Sequence, residues 1–463
     1  MQLFQSMNIP LGFLTGHVAL AQVKDFTIDL EPHRMLQLVS QTQLPAVEEY
    51  PGLGGSLGID LNGMDYHFDW ATEQADLNRY NHYTTTIEEL TIHFIHHKSS
   101  EPNAIPLILN HGWPGTFMDF LPVIEPLTTA SSTSNKTSAS FHVVVPSLPG
   151  YAFSSAPPAT WTLNDTARIF NTLMTDVLGY ETYAAHGSDF GSNVAYNLYN
   201  NFNKSVRAVH LTGIPFLPLS PIEFPKYNIT LDADEEFQEN LVLGFNTGYV
   251  IEQSTKVYYP AAIVCPENRK LTQEIDQHYW LSAFMITLLD NCPGWQRNIS
   301  LVRFSSPPPP HLPFVSQAEM PEGSDLQAGI LPSVLTHHEI LRQVSLYFLT
   351  KSFVSSIFTY PQNTDAYSSS YSKAQTDAPM LFSSFKYSGA FWTEKVVSWV
   401  GNLVTYNCES LFFLTIPMKF SWRYSLLPAN ETVDHNFGGH FPGLDNPPAL
   451  VDDIRQIGNH WTY

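Results

Sequence analysis

The stretch His186-Gly-Ser-Asp-Phe-Gly-Ser192 decides the fold, because it combines a tight turn with a reactive side chain. The apolar run Tyr183-Ala-Ala185 precedes it. The residues after it repeat apolar side chains at the i, i+4, i+8 spacing of a helix, namely Val194, Leu198 and Phe202. Small residues around Asp189 permit the sharp strand-to-helix turn known as a nucleophile elbow. The segment therefore predicts a strand, a strained turn that presents Asp189, and an amphipathic helix.

Further strand-like segments lie on both sides of this turn. They are short apolar runs, most of them ending near Gly or Pro: 105–110, 141–145, 206–211 and 379–382. Continuous apolar runs are typical of strands buried on both faces of a parallel sheet. Thr162-Leu-Asn-Asp165 resembles a capping box and begins a helical pattern that ends at Gly179. Strands that alternate with helices predict a doubly wound, mostly parallel α/β sheet.

The composition excludes several classes of protein. The 463 residues include 22 Lys+Arg and 43 Asp+Glu, a formal net charge of −21, and a field of this sign repels a nucleic-acid backbone. The three cysteines have the spacing of neither a disulfide framework nor a zinc site: Cys265, Cys292 and Cys408. No apolar run reaches the roughly 18 residues of a transmembrane helix. We therefore expect a globular protein with no nucleic-acid partner and no transmembrane segment.

The N-terminal sequence leaves the compartment open. Residues 9–21 are fairly apolar and end in Ala19-Leu20-Ala21, a pattern typical of signal-peptide cleavage. A signal peptide also carries a basic start, and here the first Lys is Lys24. Residues 1–24 are thus interpreted as a signal or a disordered N-terminus, and a secreted and a cytoplasmic location are equally expected.

Asp189 occupies the central position of the predicted elbow. A carboxylate can attack an electrophilic carbon without a base to deprotonate it, and it then forms an ester with the substrate. A G-x-D-x-G pattern alone also occurs in solvent-facing turns. The prediction of a nucleophile therefore depends on partners elsewhere in the chain.

Two other segments supply candidate partners. Asn110-His-Gly-Trp-Pro-Gly115 follows a predicted strand, where a loop of such a sheet gives one N–H of an oxyanion hole, and the residue after the nucleophile gives the other. These donors would be the backbone N–H groups of Trp113 and Phe190. Asn436-Phe-Gly-Gly-His440 places a histidine last in the chain, which fits a general base that follows nucleophile and acid.

Several motifs together resemble the microsomal-type epoxide hydrolases, a family within the α/β-hydrolase fold. They occur in the expected order: His111-Gly-Trp-Pro-Gly115, Pro146-Ser-Leu-Pro-Gly-Tyr-Ala-Phe153, Gly187-Ser-Asp-Phe-Gly-Ser192 and Gly439-His440-Phe441. Phe68-Asp-Trp70 and Ile92-His-Phe-Ile-His96 resemble parts of the N-terminal extension of that branch. The resemblance implies an α/β-hydrolase fold and an enzyme that converts an epoxide and water to a vicinal diol.

The resemblance also implies roles for individual residues. Asp189 is the nucleophile that forms an alkyl ester, and His440 activates the water that hydrolyses it. The segment that begins Pro379-Met-Leu-Phe382 aligns with the strand that precedes the charge-relay acid in the family. Counting on from it without a gap reaches Glu394, which is thus implied to be this acid. Glu431 and Asp434 are the rival candidates.

Two cap tyrosines, Tyr249 and Tyr360, are implied to donate a proton to the epoxide oxygen. A phenol with a pKa near 10 suits this task. The resemblance implies neither a metal nor an organic cofactor. It implies a small lipophilic epoxide as substrate, and a monomer or a homodimer.

The resemblance divides the chain into segments. They are an N-terminal extension (25–100), a first core segment (101–212), a helical cap inserted between core strands (213–375) and a second core segment (376–463). Two stretches depart from the family pattern, namely 257–313 in the cap and 401–420 in the second core segment. We interpret both as atypical, either genuine insertions or translated intron or frame-shifted sequence.

Three alternatives remain open at this point. A haloalkane dehalogenase also uses an aspartate elbow, and a relative with a disrupted cap could be catalytically impaired. Two histidine-rich groups, 93–97 and 337–339, could be considered as metal sites, although surface positions on a strand and a helix are expected instead. Detoxification and a step in specialised-metabolite biosynthesis both suit the predicted chemistry.

Overall fold

The computed structural model describes eight ranges of the chain, and every structural statement below refers to them: 22–41, 68–130, 139–216, 222–233, 337–364, 371–385, 392–408 and 438–462. Nine strands form one sheet in the order β1-β2-β3-β5-β4-β6-β7-β8-β9. Their bounds are Lys24–Phe26 (β1), His82–Ile87 (β2), Leu90–His97 (β3), Ile105–Asn110 (β4), Phe141–Pro146 (β5), Tyr183–Gly187 (β6), Val206–Leu211 (β7), Pro379–Ser384 (β8) and Asn402–Cys408 (β9).

Helices precede, connect and follow these strands. They are His33–Gln41 (α1), Trp70–Leu77 (α2), Leu121–Thr128 (α3), Leu163–Thr172 (α4), Phe190–Asn201 (α5), His337–Thr350 (α6), Phe353–Ile357 (α7), Thr359–Gln362 (α8), Glu394–Val400 (α9), Pro442–Asp445 (α10) and Pro447–Arg455 (α11). Short 3₁₀ turns lie at Phe117–Phe120, Phe224–Tyr227 and Gln456–Asn459, and a π turn lies at Leu173–Val177. No helix within the described ranges is long and apolar enough to cross a bilayer.

The sheet is parallel from β5 to β9 and antiparallel across β1, β2, β3 and β5. Along β4, Ile108 belongs to one apolar core, whereas Leu107 and Leu109 belong to the other. Because successive side chains of a strand point to opposite faces, each face of the sheet carries its own core. The predicted doubly wound, mostly parallel sheet is confirmed, and α6 to α8 lie between β7 and β8 in the chain.

The N-terminal extension contacts the cap through a buried cation. Arg342 of α6 is 9% exposed, and its Nε lies 2.9 Å from Oε2 of Glu73 on α2. The same guanidinium pairs with Asp76 of α2 and with Glu339 one turn earlier on α6. A buried charge is tolerated when it is paired in this way, so the ion cluster joins α2 to α6.

The first part of the segment 401–420 forms a strand, and the interpretation of the whole segment as atypical stays a prediction. Residues Asn402–Cys408 form β9, which pairs in parallel with β8. The Tyr406 ring stacks on Phe382, and its hydroxyl donates to the carbonyl of Trp392 at 2.8 Å. The first part of this segment is thus an integral strand of the sheet, while 409–420 and the other atypical stretch, 257–313, lie outside the described residues.

The predicted surface position of the histidines on β3 is wrong for two of them. His93 is fully buried, bonded by its ring nitrogens to Ser147 and His82, and His96 is buried beside the Tyr180 hydroxyl. The cause is that other elements pack on both faces of β3: the rings of Phe117 and Phe153 contact His93, and that of Tyr180 contacts His96. Within the described ranges no three His, Cys, Asp or Glu residues gather as metal ligands.

Buried histidines make the stability of the fold depend on pH. Burial lowers the pKa of His96 and His111 to about 4 and that of His186 to about 3, from an ordinary value of 6.5. The unfolded chain therefore binds more protons than the folded chain below about pH 6.5, and acid favours unfolding. Three carboxyls act in the opposite direction, because burial raises the pKa of Asp445 to about 7, that of Asp119 well above its usual range and that of Glu339. Among the described residues they are outnumbered by six histidines whose pKa burial lowers: His82, His93, His96, His111, His142 and His186.

We expect the free energy of unfolding to fall as the pH drops from about 6.5 toward 4, as measured by urea denaturation at several pH values. His96→Gln removes one of the responsible groups and is expected to flatten this profile. His33→Gln, at an exposed position of α1, serves as the control and is expected to leave it unchanged. A constant free energy between neutral pH and about pH 4 would contradict the expectation.

Candidate active site

Asp189 lies at a strained turn between β6 and α5. Its backbone angles, φ of 53° and ψ of −129°, fall in a region that residues other than glycine rarely adopt. A Cβ on Gly187 would lie 2.0 Å from the Gly191 carbonyl oxygen, and a Cβ on Gly191 would lie 1.9 Å from that of Asn110. Only glycines permit this close approach, so the local sequence builds the turn that holds Asp189 above the end of β6.

The loop after β4 meets the Asp189 carboxylate. Asn110 pairs with Gly187 in the sheet register, so the loops after β4 and β6 begin at the same level. The backbone N–H of Trp113 donates to Oδ1 of Asp189 at 2.7 Å. A Cβ on Gly112 would lie 2.2 Å from the same oxygen, and glycine therefore allows the contact. Phe190, the second predicted donor, is the first residue of α5 and is fully buried.

His440 reaches the same carboxylate from the far end of the chain. Its Nε2 lies 3.2 Å from Oδ2 of Asp189, although 251 residues separate the two positions. The Asp189 side chain is 6% exposed and that of His440 is 18% exposed, so water can reach the imidazole. One carboxylate thus contacts a backbone donor with one oxygen and an imidazole with the other.

The Tyr360 ring packs against the side-chain rings of the two residues predicted to supply the N–H donors. Tyr360 belongs to α8 and is 2% exposed. Its ring centroid lies 4.7 Å from that of Phe190 and 5.4 Å from that of Trp113, both in edge-to-face geometry. The predicted position of Tyr360 beside the elbow is therefore compatible with contact to a substrate. Tyr249 lies outside the described residues.

Cap residues also hold the loop that carries Trp113. The indole N–H of Trp113 donates to Oγ of Ser356 on α7 at 3.1 Å. The hydroxyl of Tyr347 on α6 donates to the carbonyl of Gly115 at 2.9 Å. Two hydrogen bonds from the cap therefore fix the loop on either side of the cis bond between Trp113 and Pro114.

The structure does not bring Glu394 and His440 together, and the role of Glu394 as the charge-relay acid stays a prediction. Glu394 is the first residue of α9, its side chain is exposed, and within the described ranges no hydrogen bond or ion pair joins it to His440. The preceding residue, Thr393, caps α9 by accepting from the N–H of Val396, and a glutamate in a first helical turn interacts favourably with the helix dipole. This local role accounts for Glu394. The rival acids Glu431 and Asp434 lie outside the described residues.

Two buried carboxyls near the site were missed by the sequence reasoning. Asp119, 2% exposed, accepts from Nε2 of Gln343 at 2.7 Å, and burial raises its pKa well above its usual range. Asp445, 5% exposed, lies five residues after His440, and burial raises its pKa to about 7. For Asp445, the sequence did contain a signal of burial, since it is the single charged residue in the stretch Phe441-Pro-Gly-Leu-Asp-Asn-Pro447.

This arrangement defines a hydrolase of the α/β-hydrolase fold that carries a carboxylate at the nucleophile elbow. Two family models match the chain, "Epoxide hydrolase N terminus" over 23–120 and "alpha/beta hydrolase fold" over 105–259. A putative epoxide hydrolase of Stigmatella aurantiaca is 30% identical over 399 residues, 84% of this chain and 72% of the relative. The chain therefore belongs to the epoxide hydrolase family, and the resemblance noted in the sequence is confirmed.

Other relatives and solved structures agree with this assignment. Epoxide hydrolase 1 of Oryctolagus cuniculus is 28% identical over 85% of this chain and 77% of its own length. The structure of Aspergillus niger epoxide hydrolase matches with a TM-score of 0.62 and 25% identity, over 95% of this chain and 97% of that chain. The juvenile hormone epoxide hydrolase of Bombyx mori, 21% identical with a TM-score of 0.64 over 95% of each chain, has the same fold.

Proposed function

We propose that this protein hydrolyses a small lipophilic epoxide to a vicinal diol through a covalent ester on Asp189. The observation that carries the proposal is the double contact of the Asp189 carboxylate, with the Trp113 N–H on one oxygen and His440 on the other. A nucleophile, a donor for an oxyanion and a base are the groups that a two-step ester mechanism requires.

In the first step, a carboxylate oxygen of Asp189 attacks a ring carbon of the epoxide. A bond forms between that oxygen and the carbon, and the carbon–oxygen bond of the ring breaks. The released oxygen would be a strongly basic alkoxide, so it needs a proton as it leaves. Tyr360 supplies the proton from the cap, together with Tyr249 as the second predicted donor.

In the second step, His440 takes a proton from a water molecule that attacks the carbonyl carbon of the ester. The carbonyl oxygen becomes an oxyanion, which the N–H groups of Trp113 and Phe190 stabilise. As the tetrahedral intermediate collapses, His440 gives its proton to the departing alkoxide oxygen, and the diol leaves. The second proton of the water remains on the Asp189 carboxyl and returns to the phenolate of Tyr360, which restores both groups. One oxygen of the regenerated Asp189 carboxylate comes from water.

A tyrosine close to the elbow favours an epoxide over a haloalkane as substrate. A departing halide carries its charge without protonation, whereas an alkoxide requires an acid, and Tyr360 packs against both Trp113 and Phe190. Diol and halide release are therefore to be measured side by side on matched epoxides and haloalkanes. Halide release without diol formation would replace the proposal by the dehalogenase alternative.

Tyr360→Phe is expected to slow ester formation by about 10- to 100-fold, because one of the two predicted proton donors is lost. Ester hydrolysis is expected to stay within about twofold, since it does not use this hydroxyl. Rapid-quench single-turnover experiments measure the two steps separately. Tyr180→Phe, whose hydroxyl contacts His96 away from the site, is the matched control. Equal slowing of both steps would contradict the assigned role.

A further inference from the structure

A buried amide of α6 joins two polar side chains of the segment that follows Trp113. Oε1 of Gln343 accepts from the hydroxyl of Thr116 at 2.8 Å, and its Nε2 donates to Oδ1 of Asp119 at 2.7 Å. All three side chains are buried. One cap side chain therefore bridges the residue that begins the 3₁₀ turn at Phe117–Phe120 and an aspartate within that turn.

The hydrogen bonds of Thr116 determine which way this amide points. The Thr116 hydroxyl accepts from the N–H of Met118 at 3.2 Å, and its own proton is donated to Gln343. A hydroxyl has a single proton, so the amide presents its oxygen to Thr116 and its NH₂ group to Asp119. An amide suits this bridge because it carries an acceptor and a donor side by side without a charge.

The bridge lies close to the backbone that meets the nucleophile. Tyr347 follows Gln343 by one turn on α6, and its hydroxyl donates to the carbonyl of Gly115. A Cβ on Gly115 would lie 1.9 Å from Oδ2 of Asp119, so this carboxyl packs directly against the Gly115 backbone. Successive turns of α6 therefore hold the loop two and three residues after the Trp113 N–H.

The electrostatic surroundings of the bridge favour an uncharged group at position 343. Burial raises the pKa of Asp119 well above its usual range, and the negative charges of Asp189 and Asp445 act in the same direction. A second carboxylate beside Asp119 would add repulsion in a site removed from water. Gln343 gives Asp119 a donor and adds no charge.

We propose that Gln343 is a positioning residue for the backbone N–H of Trp113. By binding Thr116 and Asp119, it keeps this N–H directed at the nucleophile and at the oxyanion that forms there. The inference rests on the proposed function, because the oxyanion belongs to the second step of that mechanism. A displaced donor is expected to slow ester hydrolysis more than ester formation, since the carboxylate loses charge in the first step and the ester oxygen gains it in the second.

Gln343→Leu removes both hydrogen bonds at similar volume. Ester formation and ester hydrolysis are measured by single-turnover quench, with thermal melts to verify folding. Hydrolysis is expected to slow by about 10- to 100-fold, and ester formation to stay within about threefold. Gln456→Leu is the matched control with both rates unchanged, because the Gln456 amide also donates to a buried aspartate, Asp453, in the C-terminal segment. Equal slowing of both steps in Gln343→Leu, or no slowing, would overturn the proposal.

An exchange of carboxyl and amide gives a readout that a purely structural role would not move. Gln343→Glu places two carboxyls in contact, so its hydrolysis rate is expected to fall further below that of the wild type as the pH rises and both ionise. Gln343→Glu/Asp119→Asn again pairs one donor with one acceptor, and it is expected to recover hydrolysis at high pH by about tenfold over Gln343→Glu.

Two results of this exchange would overturn the proposal even if Gln343→Leu fails to fold. One is a deficit in Gln343→Glu that stays constant with pH, and the other is a deficit that the added Asp119→Asn does not relieve. Absence of any ester in the wild-type protein would instead refute the proposed function.

Discussion

Asp189→Ala is expected to abolish diol formation, with a loss of at least about 10⁴-fold, because the variant lacks the carboxylate proposed to form the covalent ester. The measurement is diol production from a panel of epoxides. Asp176→Ala, at an exposed position, is the matched control and is expected to keep full activity. Asp189→Asn is a weaker test, because an amide at this position can slowly hydrolyse back to aspartate. Activity that survives Asp189→Ala would end the covalent mechanism.

Oxygen labelling tests the covalent ester mechanism at Asp189 independently of any variant. Each turnover in the proposed mechanism leaves one water oxygen in the Asp189 carboxylate. After many turnovers in ¹⁸O water, a peptide containing this residue is therefore expected to gain mass. Water that attacked the epoxide directly would label the diol and leave the peptide unchanged.

His440→Gln is expected to stop the reaction at the ester. The first step needs no base, so one equivalent of alkylated Asp189 accumulates, while steady-state turnover falls by about 10²- to 10⁴-fold. Intact-protein mass spectrometry after mixing with epoxide detects the adduct. His33→Gln on α1 is the control, because its side chain is exposed.

If His440→Gln turned over at the wild-type rate and formed no adduct, His440 would not be the base. If its turnover were slow and no adduct formed, the role of His440 would lie before ester formation. Both results differ from the expected burst of ester, so the experiment distinguishes the assigned step from a general loss of the site.

The parts of the molecule with strong local patterns could be predicted from the sequence. The elbow was predictable because any side chain at Gly187 or Gly191 would collide with the backbone, so glycine is required at both positions and is visible in the sequence. The parallel strands were predictable because strands covered on both faces are continuously apolar. The strand β9 was missed, since its segment was judged by its departure from the family and not by its own residues.

The sequence alone could not predict which polar residues are buried in the folded protein. His93 and Asp445 each look like ordinary surface residues in their local sequence. Distant parts of the chain remove them from water, namely the rings of Phe117 and Phe153 for His93 and the 3₁₀ turn at Phe117–Phe120 for the helix that carries Asp445. Glu394 illustrates a second limit, because counting along the chain located an acid but could not show that its side chain on α9 is exposed.

The two hydrogen bonds from α6 and α7 to the Trp113 loop limit how this enzyme can be re-engineered. Ser356 and Tyr347 lie on helices between β7 and β8, and both bond to the loop whose Trp113 N–H donates to Asp189. Substitutions in these helices that change substrate scope would therefore also disturb the geometry at Asp189. Directed evolution toward bulkier epoxides would best leave both hydroxyls intact and take its diversity from other cap positions.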